Sequence, residues 1–185
     1  MKTHRIVATG LALAFLAGSV WAAGTVKSGP QVDEKLAGPF HPLNVTGESA
    51  GKKNCLYCQN GNNPVAMIFA REVTPEVTKL IKKVDECTAK NGDCSMGSFV
   101  VFLSDAEGLD RKLESMAKEQ GITKCVLSID NPAGPKGYKV SKDADVTVVL
   151  YTERTVKANH SFKKGELTDK DIAAIAQDVS KITKK

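Results

Sequence analysis

Short apolar runs alternate with helix-like segments from residue 64 onward, and this alternation restricts the folds that the chain can adopt. The runs 64–70, 99–103 and 125–129 are apolar and flanked by polar or turn-forming residues, as expected for strands buried on both faces. Apolar residues recur at helical spacing over 74–90 and 109–120. Strands that alternate with helices indicate parallel crossover units. The sequence therefore predicts an α/β fold.

The final part of the chain has a different pattern. Residues 146–151 form another apolar run, whereas apolar and polar side chains alternate over 155–162. The alternation is typical of a half-exposed strand, which we expect to pair antiparallel with the strand before it. Thr168 and Asp171 are spaced as a capping box at the start of a final amphipathic helix. A mixed sheet flanked by helices is therefore predicted.

The first 23 residues have the order of an export signal. Lys2 and Arg5 give a positive start, residues 6–20 form an apolar run, and small residues follow up to Ala23. The apolar run is shorter than the roughly 20 residues that a membrane span needs. We therefore predict a signal peptide over 1–23 and an exported mature chain, periplasmic or secreted, without a membrane span.

The mature chain is predicted to have two parts. Residues 24–63 are rich in Gly, Pro, Asn and Lys and show little periodicity, which predicts an extended arm and a loop. Residues 64–185 contain the periodic elements and have a length that suits one domain. Because export leads to an oxidising compartment, cysteines at short spacing are expected to pair.

The five cysteines of the chain fall into three settings. Cys55 and Cys58 form a Cys-x-x-Cys motif in the arm. They are interpreted either as a dithiol that exchanges disulfides through a thiolate, or as a static disulfide or a pair of metal ligands. Cys87 and Cys94 flank a turn-rich link and are predicted to form a structural disulfide. Cys125 begins an apolar run and is predicted to be a buried free thiol.

Other chemistries have less support in the residue pattern. His41 and His160 suit zinc or copper together with cysteine thiolates, but the sequence does not show that they converge, so no metal site is predicted. The net charge is +5, yet the lysines are scattered without interleaved aromatic residues, so no nucleic-acid partner is predicted. No phosphate-binding loop or dinucleotide fingerprint is present, and no cofactor is predicted.

A βαβ unit, a strand hairpin and a closing helix, in an exported chain with a Cys-x-x-Cys motif, resemble the thioredoxin-like superfamily over roughly residues 40–181. The segment Phe40-His41-Pro42-Leu43-Asn44-Val45-Thr46-Gly47 looks like the opening of its peroxiredoxin-type and redoxin-type members. The resemblance implies a thioredoxin-like mixed sheet flanked by helices, and thiol–disulfide exchange with a protein thiol or disulfide partner.

The chain departs from that pattern at two places. In thioredoxins the redox pair follows the first core strand and opens the next helix, where free amides stabilise a thiolate. Here the motif precedes the strand and the junction 71–75 contains no cysteine, which argues against a peroxidase and predicts slower exchange than in a typical thioredoxin. The proline that faces the thiols in thioredoxins is also missing from 143–146.

We therefore predict that Cys55 and Cys58 are catalytic in thiol–disulfide exchange, one thiolate attacking and the other resolving a mixed disulfide. The sequence does not indicate which of the two attacks. The alternative is a non-catalytic binding or scaffold domain in which the pair is a structural disulfide, and a metal-binding domain is a third hypothesis.

Overall fold

The computed structural model describes residues 26–184, so the predicted signal peptide lies outside the described residues. Within that range the strands are β1 (Leu43–Asn44), β2 (Val65–Ala70), β3 (Gly97–Leu103), β4 (Cys125–Asp130), β5 (Val146–Thr152) and β6 (Thr155–Phe162). The helices are α1 (Leu56–Asn60), α2 (Pro75–Lys90), α3 (Leu109–Gln120), α4 (Asp169–Asp178) and α5 (Ser180–Thr183), and a 3₁₀ turn covers Gly92–Cys94.

The six described strands form one mixed sheet with the order β1-β4-β3-β2-β5-β6. β2 pairs parallel with β3, and β3 pairs parallel with β4. β5 pairs antiparallel with β6, as the alternating pattern of 155–162 predicts, and it also pairs antiparallel with β2. All six residues of β2 are buried, because the strand is apolar on both faces and lies inside the sheet.

The helices α2 and α4 begin at the predicted capping residues. The Thr74 hydroxyl accepts a hydrogen bond from the Val77 amide at 3.2 Å, and Pro75 occupies the first position of α2. The Thr168 and Asp171 capping box is present at the start of α4. The sequence predicts one final helix, but the structure divides it into α4 and α5 at Val179, where the backbone stays in the right-handed helical region.

The two faces of the sheet are covered differently. One face packs against the apolar sides of α2, α3 and α4. The other face is covered by α1, by residues of the N-terminal arm such as Leu36 and Phe40, and by Tyr138. The rings of Phe40 and Tyr138 meet edge to face at 4.9 Å between centroids, and the Tyr138 hydroxyl donates to the carbonyl oxygen of Gly38 at 2.6 Å. The arm therefore supplies one of the two core layers.

No helix within residues 26–184 is long and apolar enough to cross a membrane. The buried elements instead enclose two apolar clusters, one on each face of the sheet.

Candidate functional site

Cys55 and Cys58 form a disulfide, with 5.2 Å between their Cα atoms. The sequence-based expectation that both lie in a loop away from a helix terminus is wrong. Cys55 is the N-cap of α1, with an extended backbone, and its Sγ atom accepts a hydrogen bond from the Cys58 amide at 3.1 Å. The motif does precede β2, but it also opens a helix.

The sequence pattern does not reveal this helix because five residues are too few to show a helical period. Cysteine also replaces the Ser, Thr, Asp or Asn that usually marks an N-cap. One available signal is Gly61, which follows the helix with a φ of 56°, since a glycine just past a helical segment is a common stop. The structure also shows why position 97 is a glycine: a Cβ atom there would overlap the side chain of Asn60, the last residue of α1. This contact cannot be read from the sequence.

The two cysteines of the disulfide differ in exposure. Cys55 is only 6% exposed and belongs to the same apolar cluster as Leu56 and Tyr57. Cys58 is exposed to solvent. The disulfide therefore joins a sulfur of the core to a residue of the surface.

A positive charge lies over this short helix. The guanidinium carbon of Arg154 is 5.0 Å from the centre of the Tyr57 ring, within the range of a cation–π interaction. Arg154 and Glu153 form the tip of the β5–β6 hairpin with positive φ values of 62° and 51°. The Glu153 amide donates to the Asn62 carbonyl oxygen at 3.0 Å. The hairpin tip is thereby attached to the segment that follows the motif, and nearby cations favour a thiolate.

The apolar cluster around Cys55 also contains the tyrosines Tyr138 and Tyr151. Burial, reinforced by neighbouring tyrosine hydroxyls, raises the pKa of both phenols. Both side chains therefore stay neutral at physiological pH. The Tyr151 hydroxyl has no hydrogen-bond partner among the described residues, and these two phenols add no charge to the cluster that contains Cys55.

Arg71 occupies the strand-to-helix junction after β2, where thioredoxins carry their redox pair. Its guanidinium donates to three backbone carbonyl oxygens at 2.9, 2.9 and 3.0 Å, those of Pro132, Ala144 and Ser141. Its own amide donates to the Asp145 carbonyl oxygen at 3.0 Å. The segment that lacks the proline is therefore tied to the junction by a side chain that has no redox chemistry.

The predicted disulfide between Cys87 and Cys94 is not formed in the structure, where both are free thiols. Cys87 lies in the last turn of α2, and burial raises its pKa against the opposing charges of Lys83 and Lys90. The Cys94 thiol donates to the Asn91 carbonyl oxygen at 3.2 Å. The sequence predicts a turn-rich link between them. In the structure α2 ends at Lys90, as the sequence indicates, and a 3₁₀ turn over Gly92–Cys94 follows Asn91.

Cys125 is a buried free thiol, as predicted. Burial raises the pKa of Cys125 to about 12, with a hydrogen bond from Ser98 acting in the opposite direction and the Asp85 carboxylate adding to the increase. The Asp85 carboxylate also accepts the amide of Cys125 at 2.8 Å, together with those of Thr123 and Lys124. This cysteine is part of the core on the helical face.

The histidines do not join the cysteines. His41 is exposed in the arm, and His160 forms a 3.0 Å contact through Nε2 with Asp178 of α4. The helix α4 covers one face of the sheet, and Cys55 lies on the other face. Over residues 26–184, no group of three or more His, Cys, Asp or Glu side chains is placed to hold a metal ion.

Comparison with known proteins gives similarity in structure alone. No protein-family model and no curated protein sequence matches the chain. A proposed protein disulfide isomerase from Bacteroides thetaiotaomicron superposes with a TM-score of 0.64 at 16% identity, over 86% of this chain and 96% of that one. A DsbF homologue from Corynebacterium diphtheriae gives 0.61 at 12% identity, over 84% and 94%. A proposed thiol:disulfide interchange protein DsbE from Chlorobium tepidum gives 0.59 at 16%, over 84% and 96%.

The chain therefore has the thioredoxin-like fold that the sequence predicted, a mixed sheet flanked by helices. Its solved neighbours include proteins described as disulfide oxidoreductases, and it carries a disulfide of Cys-x-x-Cys spacing between Cys55 and Cys58.

Proposed function

We propose that this protein exchanges thiols and disulfides with a partner protein through Cys55 and Cys58. The observation that supports this most directly is the disulfide between them, which opens a helix and has one of its two residues exposed at the surface. Thiol–disulfide exchange requires a thiolate to reach a disulfide sulfur. An exposed half of the bridge meets that requirement, whereas a fully buried bridge would not.

One contact within the pair favours its reduced, charged form. The Cys58 amide points at the Cys55 Sγ atom, and a hydrogen bond to a charged group lowers its pKa. Arg154 adds a positive charge above the neighbouring Tyr57 ring. The hydrogen bond assists a thiolate at Cys55 against the cost of its burial, a contribution that the sequence alone did not indicate.

We also propose that the protein works after export, in the periplasm or outside the cell. The support for this is the order of positive, apolar and small residues in 1–23, and an oxidising compartment is where such pairs cycle. Mass spectrometry of the exported protein tests the proposal. The expected mass is that of a chain beginning near Ala23, and a product that retains Lys2 and Arg5 would contradict export by cleavage.

The catalytic proposal is tested by turnover and by reduction potential. The native mature chain is expected to oxidise a dithiol peptide or reduce a disulfide peptide, and a variant with both Cys55→Ser and Cys58→Ser is expected to do neither. A matched control with Cys87→Ser and Cys94→Ser also loses two cysteines and is expected to retain full turnover. The pair should have a potential above about −300 mV, the level below which structural bridges resist reduction.

A binding or scaffold domain is the second candidate, and Arg71 is the observation that favours it. The usual redox position of the fold is filled by a side chain that only anchors a loop. On this hypothesis the disulfide is structural. Equal behaviour of the native chain and the double variant, or a potential below about −300 mV, would establish it in place of exchange.

A further inference from the structure

The two sulfurs of the motif are not equivalent targets. Cys55 is 6% exposed and packs into the apolar cluster with Leu56 and Tyr57. Cys58 is exposed. An incoming thiolate must approach the sulfur that it attacks, and access is one of the factors that sets the rate of exchange. Burial therefore protects Cys55 and leaves Cys58 open to a partner.

The hydrogen bond within the motif reaches only one of the two sulfurs. The Cys58 amide donates to the Cys55 Sγ atom at 3.1 Å. When the disulfide opens, one sulfur leaves as a thiolate, and a hydrogen bond to that charge lowers the pKa of the leaving thiol. A leaving thiol of lower pKa departs faster. Burial of Cys55 opposes charge on its sulfur, so the hydrogen bond offsets part of that cost when Cys58 is attacked and Cys55 leaves.

We propose that Cys58 is the sulfur that forms the mixed disulfide with the partner, and that Cys55 is the leaving and resolving thiol. This assignment rests on the proposed exchange function and adds the order of events, which the motif alone does not give. The second cysteine of the motif makes contact with the partner, and the first stays in the core.

When a partner dithiol reduces the disulfide by attacking Cys58 first, two electrons pass from the partner to the two cysteines. A partner thiolate attacks the Cys58 sulfur, a new sulfur–sulfur bond forms, and the Cys55–Cys58 bond breaks with its electron pair on Cys55. A second thiolate of the same partner then attacks the partner sulfur of the mixed disulfide and releases Cys58 as a thiolate. The partner dithiol loses two electrons and two protons, and the two cysteines receive them. In reverse, the Cys58 thiolate attacks a partner disulfide and Cys55 resolves it.

The first test uses the native mature chain without substitution. The oxidised protein is mixed with reduced glutathione at neutral pH, the reaction is stopped within seconds by excess N-ethylmaleimide at the same pH, and the sample is acidified before the peptides are mapped. Glutathione is expected on Cys58 and the maleimide on Cys55. Glutathione on Cys55, or equal amounts on the two cysteines, would overturn the assignment while leaving exchange itself intact.

The second test uses single substitutions in a background with Cys87→Ser and Cys94→Ser, which removes the other partly exposed thiols. The Cys55→Ser variant retains a side chain that caps a helix well, and Cys58→Ser lies at the surface, so both are suited to retain the fold. With glutathione disulfide as the probe, the Cys55→Ser variant is expected to form a mixed disulfide at least about tenfold faster than Cys58→Ser, because access limits the latter.

The results of the two tests distinguish a wrong order of attack from a failure of the proposed exchange function. A faster Cys58→Ser variant, or equal rates, overturns the order of attack alone. No mixed disulfide on either cysteine of the folded protein, although the urea-unfolded protein reacts, overturns both the order and the proposed exchange. Circular dichroism of each variant beside the native chain identifies the folded samples for which these rates are compared.

Discussion

The two ends of the central strand β2 carry different chemistry. Its amino end is entered from α1, where the Cys55–Cys58 disulfide opens the helix. Its carboxyl end is followed by Arg71, whose guanidinium holds three carbonyl oxygens of a neighbouring loop. In open α/β sheets the carboxyl ends of the strands are the usual place for ligands and reacting groups. In this chain that place has a structural role, and the sulfur pair is at the opposite end.

The fold and the position of its chemistry are therefore separable. β2 is buried and apolar along its whole length, so it presents no functional side chain of its own. A few residues of the connecting segments set the chemistry at each end of the strand. A motif that precedes the strand can still gain a helix start, because Cys55 caps a short helix made from the arm.

The largest expected effect is at the amino end. Cys58→Ser should lower turnover of a dithiol peptide by two or more orders of magnitude, because it removes the sulfur that forms the mixed disulfide with the partner. Its cost in the free energy of unfolding should be only about 2 kcal/mol, since the bridge closes a very short loop. Turnover and urea unfolding of the same samples measure both. A fall in stability large enough to account for the lost turnover would contradict a catalytic role.

The carboxyl end should show the reverse pattern. Arg71→Met removes the donors to three carbonyl oxygens and is expected to lower the free energy of unfolding by about 3 kcal/mol, with turnover by the folded protein unchanged. Arg71→Lys should recover only part of this loss, because an ammonium lacks the planar fork of guanidinium. The exposed Arg111→Met is the matched control, expected within about 0.5 kcal/mol of the native chain. A loss of turnover in folded Arg71→Met would show that the two ends are coupled.

The structure at the carboxyl end of β2 was largely predictable from the sequence, whereas the structure at its amino end was not. The apolar run of β2, the Thr74 cap and Pro75 are local signals, and they placed the junction and its lack of cysteine correctly. The helical nature of the Cys-x-x-Cys motif depends instead on packing of Leu56 and Tyr57 against the sheet and on the hairpin tip. Those contacts join residues far apart in the chain, so no local pattern reports them.

A 3₁₀ turn after α2 accompanies the absence of the predicted disulfide between Cys87 and Cys94 from the structure. Short spacing across turn-rich residues suggested that the chain would bring the thiols together. The helical spacing placed the end of α2 correctly at Lys90, but it did not show that Gly92–Cys94 forms a 3₁₀ turn in which the Cys94 thiol donates to the Asn91 carbonyl oxygen. The buried Cys125, by contrast, can be derived directly from its apolar strand and is found as predicted.

A smaller effect is expected at the hairpin tip that joins the amino end. Arg154→Met should slow alkylation of reduced Cys58 by about two- to fivefold at neutral pH, because it removes the positive charge over the ring of Tyr57, the residue that precedes Cys58. The rate should then rise with a midpoint at higher pH than in the native chain. Arg154→Lys restores the charge and should restore most of the pH profile. An unchanged profile in Arg154→Met would mean that the arginine only packs on Tyr57.

The smallest effect concerns Asp178, on the helical face and away from both ends of β2. Partial burial tends to raise its pKa, but hydrogen bonds and charges from Lys181 and His160 outweigh burial and hold the pKa below its usual value of 3.8. Because the folded chain binds this proton less readily than the unfolded chain, the stabilising contribution is complete well above pH 3.8 and is lost as the pH falls through the folded pKa.

Asp178→Asn should therefore lower the free energy of unfolding by about 0.5 to 1 kcal/mol near neutral pH, as expected for a partly exposed ion pair. The difference from the native chain should shrink as the pH falls below 3.8. Urea unfolding at a series of pH values measures it. The rate of glutathione attack on the disulfide, measured at neutral pH in both proteins, should stay the same. An altered rate in Asp178→Asn would show that the helical face and the sulfur pair are linked through the sheet, so that fold and site could no longer be treated as separate.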